Sequence, residues 1–331
     1  MDLDAAADGR RVEVAAPAKI NLALLVGPQR PDGFHEICSV ILPVTLSDLV
    51  AVERAPGDGL TVQCPICPGE DNLAGRIVRE LERRLERPFE VRVTIHKRVP
   101  HGAGLGGGSS DAAATLVAVE RLFALDLSDR LRYEVAAAIG SDVPFFLWLG
   151  PQLVMGRGQV LKDMALPEPL HIVLALPDLG LSTAEVYRWR DADEQPTLSD
   201  FVRRAERLQQ SLSVAVLPRD LTRLVENDLE ASVVARHPEV AELKRSMFAA
   251  GAFGAAMSGS GAAVFGLFDD EATALAAREQ LAPARATYVT DLQPRAQTRG
   301  DARRPPSDGG GESRGARPRK DRPQRRPPGP K

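Results

Sequence analysis

The chain has 331 residues, of which 44% are apolar and 26% are charged, and its formal net charge is −3. This length is sufficient for two domains with a sizeable core, and the composition is typical of a globular protein. The sequence contains no apolar run long enough to span a membrane, and its acidic start, MDLDAAADGRR, lacks the apolar segment of a secretory signal. We therefore expect a cytoplasmic protein that has no membrane partner.

Hydrophobic periodicity predicts strands and helices that intermix without a strict β-α-β rhythm, which favours an α+β fold built of layers. Two prolines in KDMALPEPL place a domain boundary near residues 160–169. The predicted organisation is a flexible N-terminus at 1–10, an N-terminal domain at 11–160 and a C-terminal domain at 161–294. In chain order, the predicted elements are strands at 12–26 and 49–53, a helix at 72–85, a strand at 91–96, helices at 111–124 and 128–138, a strand at 171–176, helices at 182–189 and 238–250, a strand at 262–267, a helix at 271–281 and a strand at 286–289.

The tail at 295–331 differs in composition from the rest of the chain. It holds twelve Arg or Lys against four Asp or Glu, so its net charge is +8 while the rest of the chain carries −11. A segment this rich in proline and glycine, with almost no apolar residues, cannot bury enough surface to offset the cost of ordering. We expect a disordered basic tail with no specific nucleic-acid partner. Non-specific contact with nucleic acid or an anionic surface is the alternative.

The segment APAKINLAL places a lysine and an asparagine in a predicted strand. Successive side chains of a strand point to opposite faces. The pattern therefore predicts one face with Ile20, Leu22 and Leu24 and another with Lys19, Asn21 and Ala23. A face that carries a lysine beside an asparagine is either a solvated surface or the wall of an active site.

Two further stretches carry side chains whose roles the residues alone leave open. RPDGFHE is a turn with an aromatic and an imidazole side chain, Phe34 and His35. It is either a plain hairpin tip or a site that holds a flat heterocycle. In AAAIGSDVPFFL a helix is expected to end at Gly140, and Asp142 follows among apolar residues. This aspartate is either a helix N-cap or a base in a low-dielectric pocket.

The three cysteines include a close pair, Cys64 and Cys67 in CPIC, with the spacing of half a zinc or redox site. A structural zinc would need two more ligands at a matching spacing, and the sequence offers none nearby. We therefore expect two free thiols in a loop and no metal bound by protein side chains.

The stretch PHGAGLGGGSSDAAATL at 100–116 is the most unusual in the chain, because five of the seven residues at 102–108 are glycine. Glycine costs conformational entropy on folding, so such a loop serves a purpose other than core packing. It lacks the acidic residue and first-strand position of a dinucleotide-binding fingerprint and the lysine of a P-loop. A glycine-rich turn before a helix, with Ser109, Ser110 or Asp111 as the cap, presents N–H groups to an anion.

Taken together, PAKINLAL, RPDGFHE, PHGAGLGGGSSDAA, GSDVPFF and the second glycine-rich turn MSGSGAAVFG resemble the GHMP kinases over about residues 12–292. The resemblance implies a two-domain α+β fold, with an N-terminal ribosomal S5 domain 2-like domain and a C-terminal ferredoxin-like α/β plait. The AKINL and DGFH segments are similar to members that phosphorylate the 2-hydroxyl of a cytidine-diphosphate-linked methylerythritol in non-mevalonate isoprenoid biosynthesis. The implied cofactors are ATP and Mg²⁺.

The same resemblance assigns roles to residues around the reacting groups. Asp142 corresponds to the residue that accepts the proton of the substrate hydroxyl, and Lys19 to the lysine that neutralises and orients the reacting groups. Ser141 stands where alanine is common, a change that we expect to be harmless. The residues assigned to the ATP phosphates are Pro100, Gly102, Ala103, Gly104, Leu105, Gly106, Gly107, Gly108, Ser109 and Ser110.

The residues assigned to the substrate are Asn21, Phe34, His35, Tyr187 and Asp142 again. Phe34 and Tyr187 correspond to aromatic residues on opposite faces of the cytosine, and His35 to a hydrogen-bonding imidazole. Phe34 departs from the more usual tyrosine, which leaves stacking intact but removes a hydroxyl group. A GHMP kinase for another small alcohol, such as homoserine or a sugar, and a catalytically silent ligand sensor stay open as alternatives. We expect a monomer or a homodimer.

Overall fold

The computed structural model describes residues 10–193, 196–281, 284 and 286–293. The tail predicted to be disordered, and the predicted flexible N-terminus apart from Arg10, lie outside these residues. The strands are β1 Arg11–Gln29, β2 His35–Arg54, β3 Leu60–Gln63, β4 Val91–His96, β5 Gln152–Gly156, β6 Val160–Asp163, β7 His171–Leu176, β8 Glu226–Asn227, β9 Gly254–Met257, β10 Val264–Phe268 and β11 Ala286–Asp291. The helices are α1 Leu73–Leu85, α2 Gly107–Leu122, α3 Asp129–Ile139, α4 Thr183–Asp193, α5 Leu198–Val214, α6 Glu230–Val234, α7 Pro238–Ala249 and α8 Glu271–Gln280, with 3-10 helices at Pro144–Leu147 and Pro218–Leu224.

The strands form two sheets. The first has the order β3-β4-β2-β1-β8, with β5 paired to β2 and β6 paired to β5. Its centre is a long antiparallel hairpin of β1 and β2 whose tip carries the RPDGFHE turn. Because β6 belongs to this sheet, the predicted domain boundary after residue 160 falls inside a strand. The second sheet has the order β11-β7-β10-β9, with every pair antiparallel.

Apolar side chains connect the two sheets into a shared core. Ile20 and Leu22 of β1 pack in one cluster with Leu174 of β7 and Phe265 of β10. On the other side of the first sheet, α1, α2 and α3 pack with β1, β2 and β4 in a second cluster. α2 packs closely against the sheet and against α1, and its buried residues at 112–114 are small alanines. The close approach places the start of α2 beside β1.

Several elements differ from the predicted ones. β2 begins at His35 rather than at residue 49, and α5 was not predicted. α2 begins at Gly107, four residues before its predicted start, so the prediction of Ser109, Ser110 or Asp111 as its cap is wrong. The N-cap is Gly106, whose left-handed backbone, with φ of 71°, favours glycine.

Among the described helices, none is long and apolar enough to cross a membrane. Cys38, Cys64 and Cys67 are free thiols, and Cys67 is exposed.

Candidate active site

A cleft of about 350 Å³ lies between the glycine-rich loop, β1 and the second glycine-rich turn. Most of the predicted site residues line it. They are Lys19, Asn21, Pro100, Gly102, Ala103, Gly104, Leu105, Gly106, Gly107, Gly108, Ser109, Asp142 and Tyr187. The other three lie outside this lining: Ser110 is buried in the first turn of α2, and Phe34 and His35 lie at the β1–β2 hairpin.

Close packing explains why glycine occupies two positions of the loop. A Cβ atom at Gly104 would lie 2.1 Å from the carbonyl oxygen of Ser258, and the φ of Gly104 is +72°. A Cβ atom at Gly106 would lie 2.9 Å from the ring of Phe146 and 3.1 Å from Cγ of Lys19. The loop is therefore pressed between β1 and the second glycine-rich turn. Its end leads into the first turn of α2, where N–H groups have no partner within the helix and the dipole favours an anion.

The second glycine-rich turn, between β9 and β10, supports the loop from the opposite side. The hydroxyl of Ser258 donates to the carbonyl oxygen of Gly104 at 3.1 Å. The Asn227 side chain of β8 donates to the carbonyl oxygens of Met257 and Gly259, at 2.8 Å in each case. The turn is evident in the sequence, but Asn227 was not predicted, because its contacts with the turn depend on the pairing of β8 with β1.

Lys19 joins β1 to the glycine-rich loop. Its Nζ donates to Oδ1 of Asn21 at 2.5 Å and to the carbonyl oxygen of Gly104 at 2.6 Å. Burial lowers the pKa of Lys19, and the negative charge of Asp142 opposes this shift. The buried lysine therefore lines the cleft, where the Asp142 carboxylate attracts its ammonium group.

A β-bulge at Leu22 changes the faces that strand alternation predicted. The β1–β2 register shifts between Asn21 and Ala23, and Ala23 then joins Leu22 in the core between the two sheets. Leu24 instead lines the cleft together with Lys19 and Asn21. The prediction that Leu24 shares the face of Leu22, and Ala23 that of Lys19, is therefore wrong. The bulge inserts one residue and reverses the alternation beyond it.

Asp142 lies in the turn between α3 and the 3-10 helix that begins at Pro144, and it is exposed. The N-cap of that 3-10 helix is Val143, so the interpretation of Asp142 as a cap is wrong. The other alternative was a base in a low-dielectric pocket: the Asp142 side chain lines the cleft but is exposed rather than buried. Its charge nevertheless acts on Lys19 and on Tyr187.

Tyr187, which lines the cleft, is in ring contact with His35 of the β1–β2 hairpin. Their ring centroids are 4.9 Å apart with a tilt of 39°. Burial raises the pKa of Tyr187, and the charge of Asp142 adds to the effect. Phe34 is 48% exposed, and the Arg157 guanidinium lies 5.1 Å from its ring centroid.

The chain matches known sequences over both of its halves. Residues 72–150 match the GHMP kinases N terminal domain, and residues 203–285 match the GHMP kinases C terminal domain. A 4-diphosphocytidyl-2-C-methyl-D-erythritol kinase of Citrifermentans bemidjiense is 36% identical over 287 residues, which cover 86% of this chain and 99% of the relative. The chain belongs to the 4-diphosphocytidyl-2-C-methyl-D-erythritol kinase family. A second member, from Gloeobacter violaceus, is 40% identical over 270 residues, covering 80% of this chain and 88% of the relative.

Solved structures of GHMP kinases have the same fold. A crystal structure of 4-(cytidine 5'-diphospho)-2C-methyl-D-erythritol kinase has a TM-score of 0.71 at 36% identity, covering 85% of this chain and 99% of that one. A homoserine kinase from Cytophaga hutchinsonii has a TM-score of 0.70 at 18% identity, covering 88% and 98%, a likeness of fold alone. The predicted two-domain α+β GHMP fold and the assignment as an ATP-dependent kinase are confirmed.

In this member of the 4-diphosphocytidyl-2-C-methyl-D-erythritol kinase family, α4 is fixed to the hairpin that carries His35. The Nε2 atom of His35 lies 2.9 Å from a carboxylate oxygen of Asp191. The buried guanidinium of Arg190 donates to the carbonyl oxygens of Val26 and Gly27 at the end of β1. Arg190 and Asp191 were not predicted from the sequence, and their contacts set the position of Tyr187 on the same helix.

Proposed function

We propose that the protein transfers the γ-phosphoryl group of ATP to the 2-hydroxyl of 4-diphosphocytidyl-2-C-methyl-D-erythritol, a step of non-mevalonate isoprenoid biosynthesis. The observation that carries the proposal is the single cleft in which Lys19, Asp142 and Tyr187 meet the glycine-rich loop. Membership of the family supports the choice of substrate. A cytoplasmic location and a monomeric or homodimeric state stay predictions from the sequence.

The glycine-rich loop and the first turn of α2 are suited to the triphosphate of ATP. The N–H groups of Gly107, Gly108 and Ser109 lie in the first turn of α2, and these residues line the cleft. The described residues contain no group of three or more His, Cys, Asp or Glu that could hold a metal ion. In kinase sites Mg²⁺ keeps several waters and is held by substrate phosphates with one or two carboxylates, rather than by an all-protein cage. The ion accordingly enters the cleft as part of the MgATP substrate.

Asp142 and Lys19 supply the charges for transfer. Phosphoryl transfer depends on positioning and charge neutralisation more than on covalent chemistry. The exposed carboxylate of Asp142 accepts the proton of the substrate hydroxyl as that oxygen bonds to the γ-phosphorus and ADP leaves. Lys19 offsets negative charge near the reacting groups, since its Nζ is fixed at the loop by Gly104.

The cytosine of the substrate is assigned to the end of the cleft near Tyr187. The Tyr187 ring offers an aromatic face, and stacking with a flat base contributes about 0.5–1.5 kcal/mol beyond burial. His35 lies against that ring, and the exposed Phe34 precedes it at the hairpin tip. This set favours a substrate with a nucleobase over homoserine or a sugar.

Measurement of ADP release with a panel of alcohols tests the proposal. With 4-diphosphocytidyl-2-C-methyl-D-erythritol we expect rapid ADP formation, and with homoserine, a hexose or no acceptor only background. Faster turnover of homoserine or the sugar would favour the alternative GHMP kinase. Tight binding of the cytidylyl compound with no ADP formation would favour the silent sensor.

A further inference from the structure

Three charged side chains lie together behind the glycine-rich loop, outside the machinery described above. They are Asp48 of β2, Lys97 at the end of β4 and Asp111 of α2. Nζ of Lys97 donates to Oδ2 of Asp48 at 2.5 Å and to Oδ2 of Asp111 at 2.8 Å. The side chains of Asp48, Lys97 and Asp111 are 0%, 11% and 4% exposed. We call these three residues the loop-base cluster.

The loop-base cluster connects the two ends of the glycine-rich loop. Oδ1 of Asp48 accepts the backbone N–H groups of Arg98 and Val99, which lead into the loop, at 2.5 and 2.8 Å. Lys97 lines the cleft, and its Nζ would lie 3.3 Å from a Cβ atom placed on Gly107. Lys97 thereby joins the start of the loop to the helix that follows it.

The charge of the cluster is unbalanced when both carboxyl groups are ionised. One ammonium group then faces two carboxylates, and the net charge of −1 is buried directly behind the proposed triphosphate site. Oδ1 of Asp111 is buried and has no hydrogen-bond partner within the part of the chain that the structure describes. A second buried carboxylate beside one ammonium is costly, because burial disfavours charge and like charges repel.

The surroundings of Asp111 bring its titration close to neutral pH. Burial raises the pKa of Asp111 to about 7, with Asp48 adding to the effect and Lys97 opposing it. The pKa of Lys97 is raised, since the attraction of Asp111 and Asp48 outweighs its burial. The other cation near the loop is Lys19 of β1. It packs against Gly106, and its Nζ donates to the carbonyl oxygen of Gly104 rather than to the cluster.

We propose that Asp111 takes up a proton from solvent when MgATP enters the cleft, so that the loop-base cluster becomes neutral. The bound triphosphate adds negative charge near the cluster, which disfavours ionised Asp111. The phosphates also attract the Lys97 ammonium group, which weakens the ion pair of Lys97 with Asp111. Both effects favour the protonated carboxyl group. Asp111 is thus a positioning residue that makes nucleotide affinity dependent on pH. The inference rests on the proposed ATP site.

The test is calorimetry of ATP binding, with Mg²⁺ and without the alcohol, at pH 7.5 in buffers of different ionisation enthalpy. The dependence of the heat on the buffer gives the number of protons taken up. Asp111→Asn keeps the shape of the side chain and an oxygen for Lys97. Glu120→Gln is the matched control, because it removes a carboxylate on the same helix that is paired with Arg132 and 12% exposed. Protons released by ATP itself are the same in all three proteins.

We expect the wild type and Glu120→Gln to take up roughly half a proton more than Asp111→Asn. Above pH 7 the ATP affinity of the wild type should also fall relative to that of Asp111→Asn, by at most about tenfold per pH unit. Equal proton numbers and parallel pH profiles in the wild type and Asp111→Asn would overturn the inference. If Asp111→Asn does not fold, Asp48→Asn replaces it. Removal of that neighbouring charge lowers the pKa of Asp111, so unchanged proton uptake in Asp48→Asn would also overturn the inference.

Failure of the wild type to bind ATP would overturn the proposed function and this inference together. ATP binding without the extra proton uptake would overturn the inference alone.

Discussion

Nζ of Lys19 lies 2.6 Å from the carbonyl oxygen of Gly104, so the lysine of the first strand is bound to the glycine-rich loop itself. The hydroxyl of Ser258, from the second glycine-rich turn, donates to the same carbonyl oxygen. Gly104 is therefore the point at which β1, the loop and the C-terminal half of the chain meet. In the proposed ATP site, a cation fixed at this point would serve both the conformation of the loop and the charge of the phosphates.

Replacement of Lys19 by methionine tests this double role. Lys19→Met keeps the length of the side chain but removes the charge and both hydrogen bonds. We expect kcat to fall by about 10²–10³-fold, as for loss of a group that stabilises transition-state charge. The ATP KM should rise as well, since the loop loses an anchor. Steady-state kinetics measures both effects. Lys162→Met, an exposed change on β6, is the control and should behave as the wild type does.

Tyr187→Ala tests the position of the nucleobase. Loss of a stacked ring should raise the KM for the cytidylyl substrate by about tenfold, while the ATP KM stays near that of the wild type. Trp189→Ala is the control, because Trp189 lies on the same helix and packs against His237 instead. An equal rise in both KM values for Tyr187→Ala would mean that the ring supports the fold and does not bind the base.

The raised pKa of Asp111 predicts a pH dependence of stability. The unfolded aspartate loses its proton near pH 4 and the folded one near pH 7, so ionisation favours unfolding between these values. The free energy of unfolding of the wild type should therefore fall relative to that of Asp111→Asn by about 2–3 kcal/mol from pH 5 to pH 8. Urea titrations at each pH measure the difference. A difference that does not change with pH would contradict the assignment of this pKa.

The basic tail gives a prediction that rests on composition alone. Deletion of residues 296–331 should leave turnover and Tm nearly unchanged, because the tail lies beyond the residues that resemble the family. Thermal melts and kinetics of the shortened chain check this. A loss of more than about 1 kcal/mol of stability would mean that the tail packs on the domains.

Local signals predicted some elements of the fold closely and missed others. The helix predicted at 72–85 begins one residue later, with Asn72 as an N-cap that accepts the Ala74 N–H. The strand predicted at 91–96 has those bounds. α5 was missed although Thr197 caps it, because its charged surface face dominates the pattern and only Phe201 and Leu208 are fully buried. The bulge at Leu22 could not be predicted, since it is a property of the register with β2.

The candidate site, like the fold, could be predicted from the sequence only in part. The motifs predicted a common site for Lys19, Asp142 and the glycine-rich loop, and the structure places them in one cleft. The loop-base cluster had no such signal. Its three residues are separated in sequence. By sequence alone Asp48 resembles an acid in a turn, Lys97 a surface lysine and Asp111 a helix cap. Only the pairing of β2 with β4 and the early start of α2 bring them together.

The most direct test of the account is the kcat of Asp142→Asn with ATP and 4-diphosphocytidyl-2-C-methyl-D-erythritol. Asparagine keeps the shape of the side chain but cannot accept a proton at neutral pH. We predict a loss of at least about 10²-fold in kcat, the lower end for removal of a general base. ATP binding and Tm should persist, because the triphosphate is assigned to the loop in our proposal and Asp142 caps no helix. Ser141→Ala, at the neighbouring position, should keep wild-type turnover. A folded Asp142→Asn protein whose kcat stays within about threefold of the wild type would remove Asp142 from the mechanism and contradict the central claim.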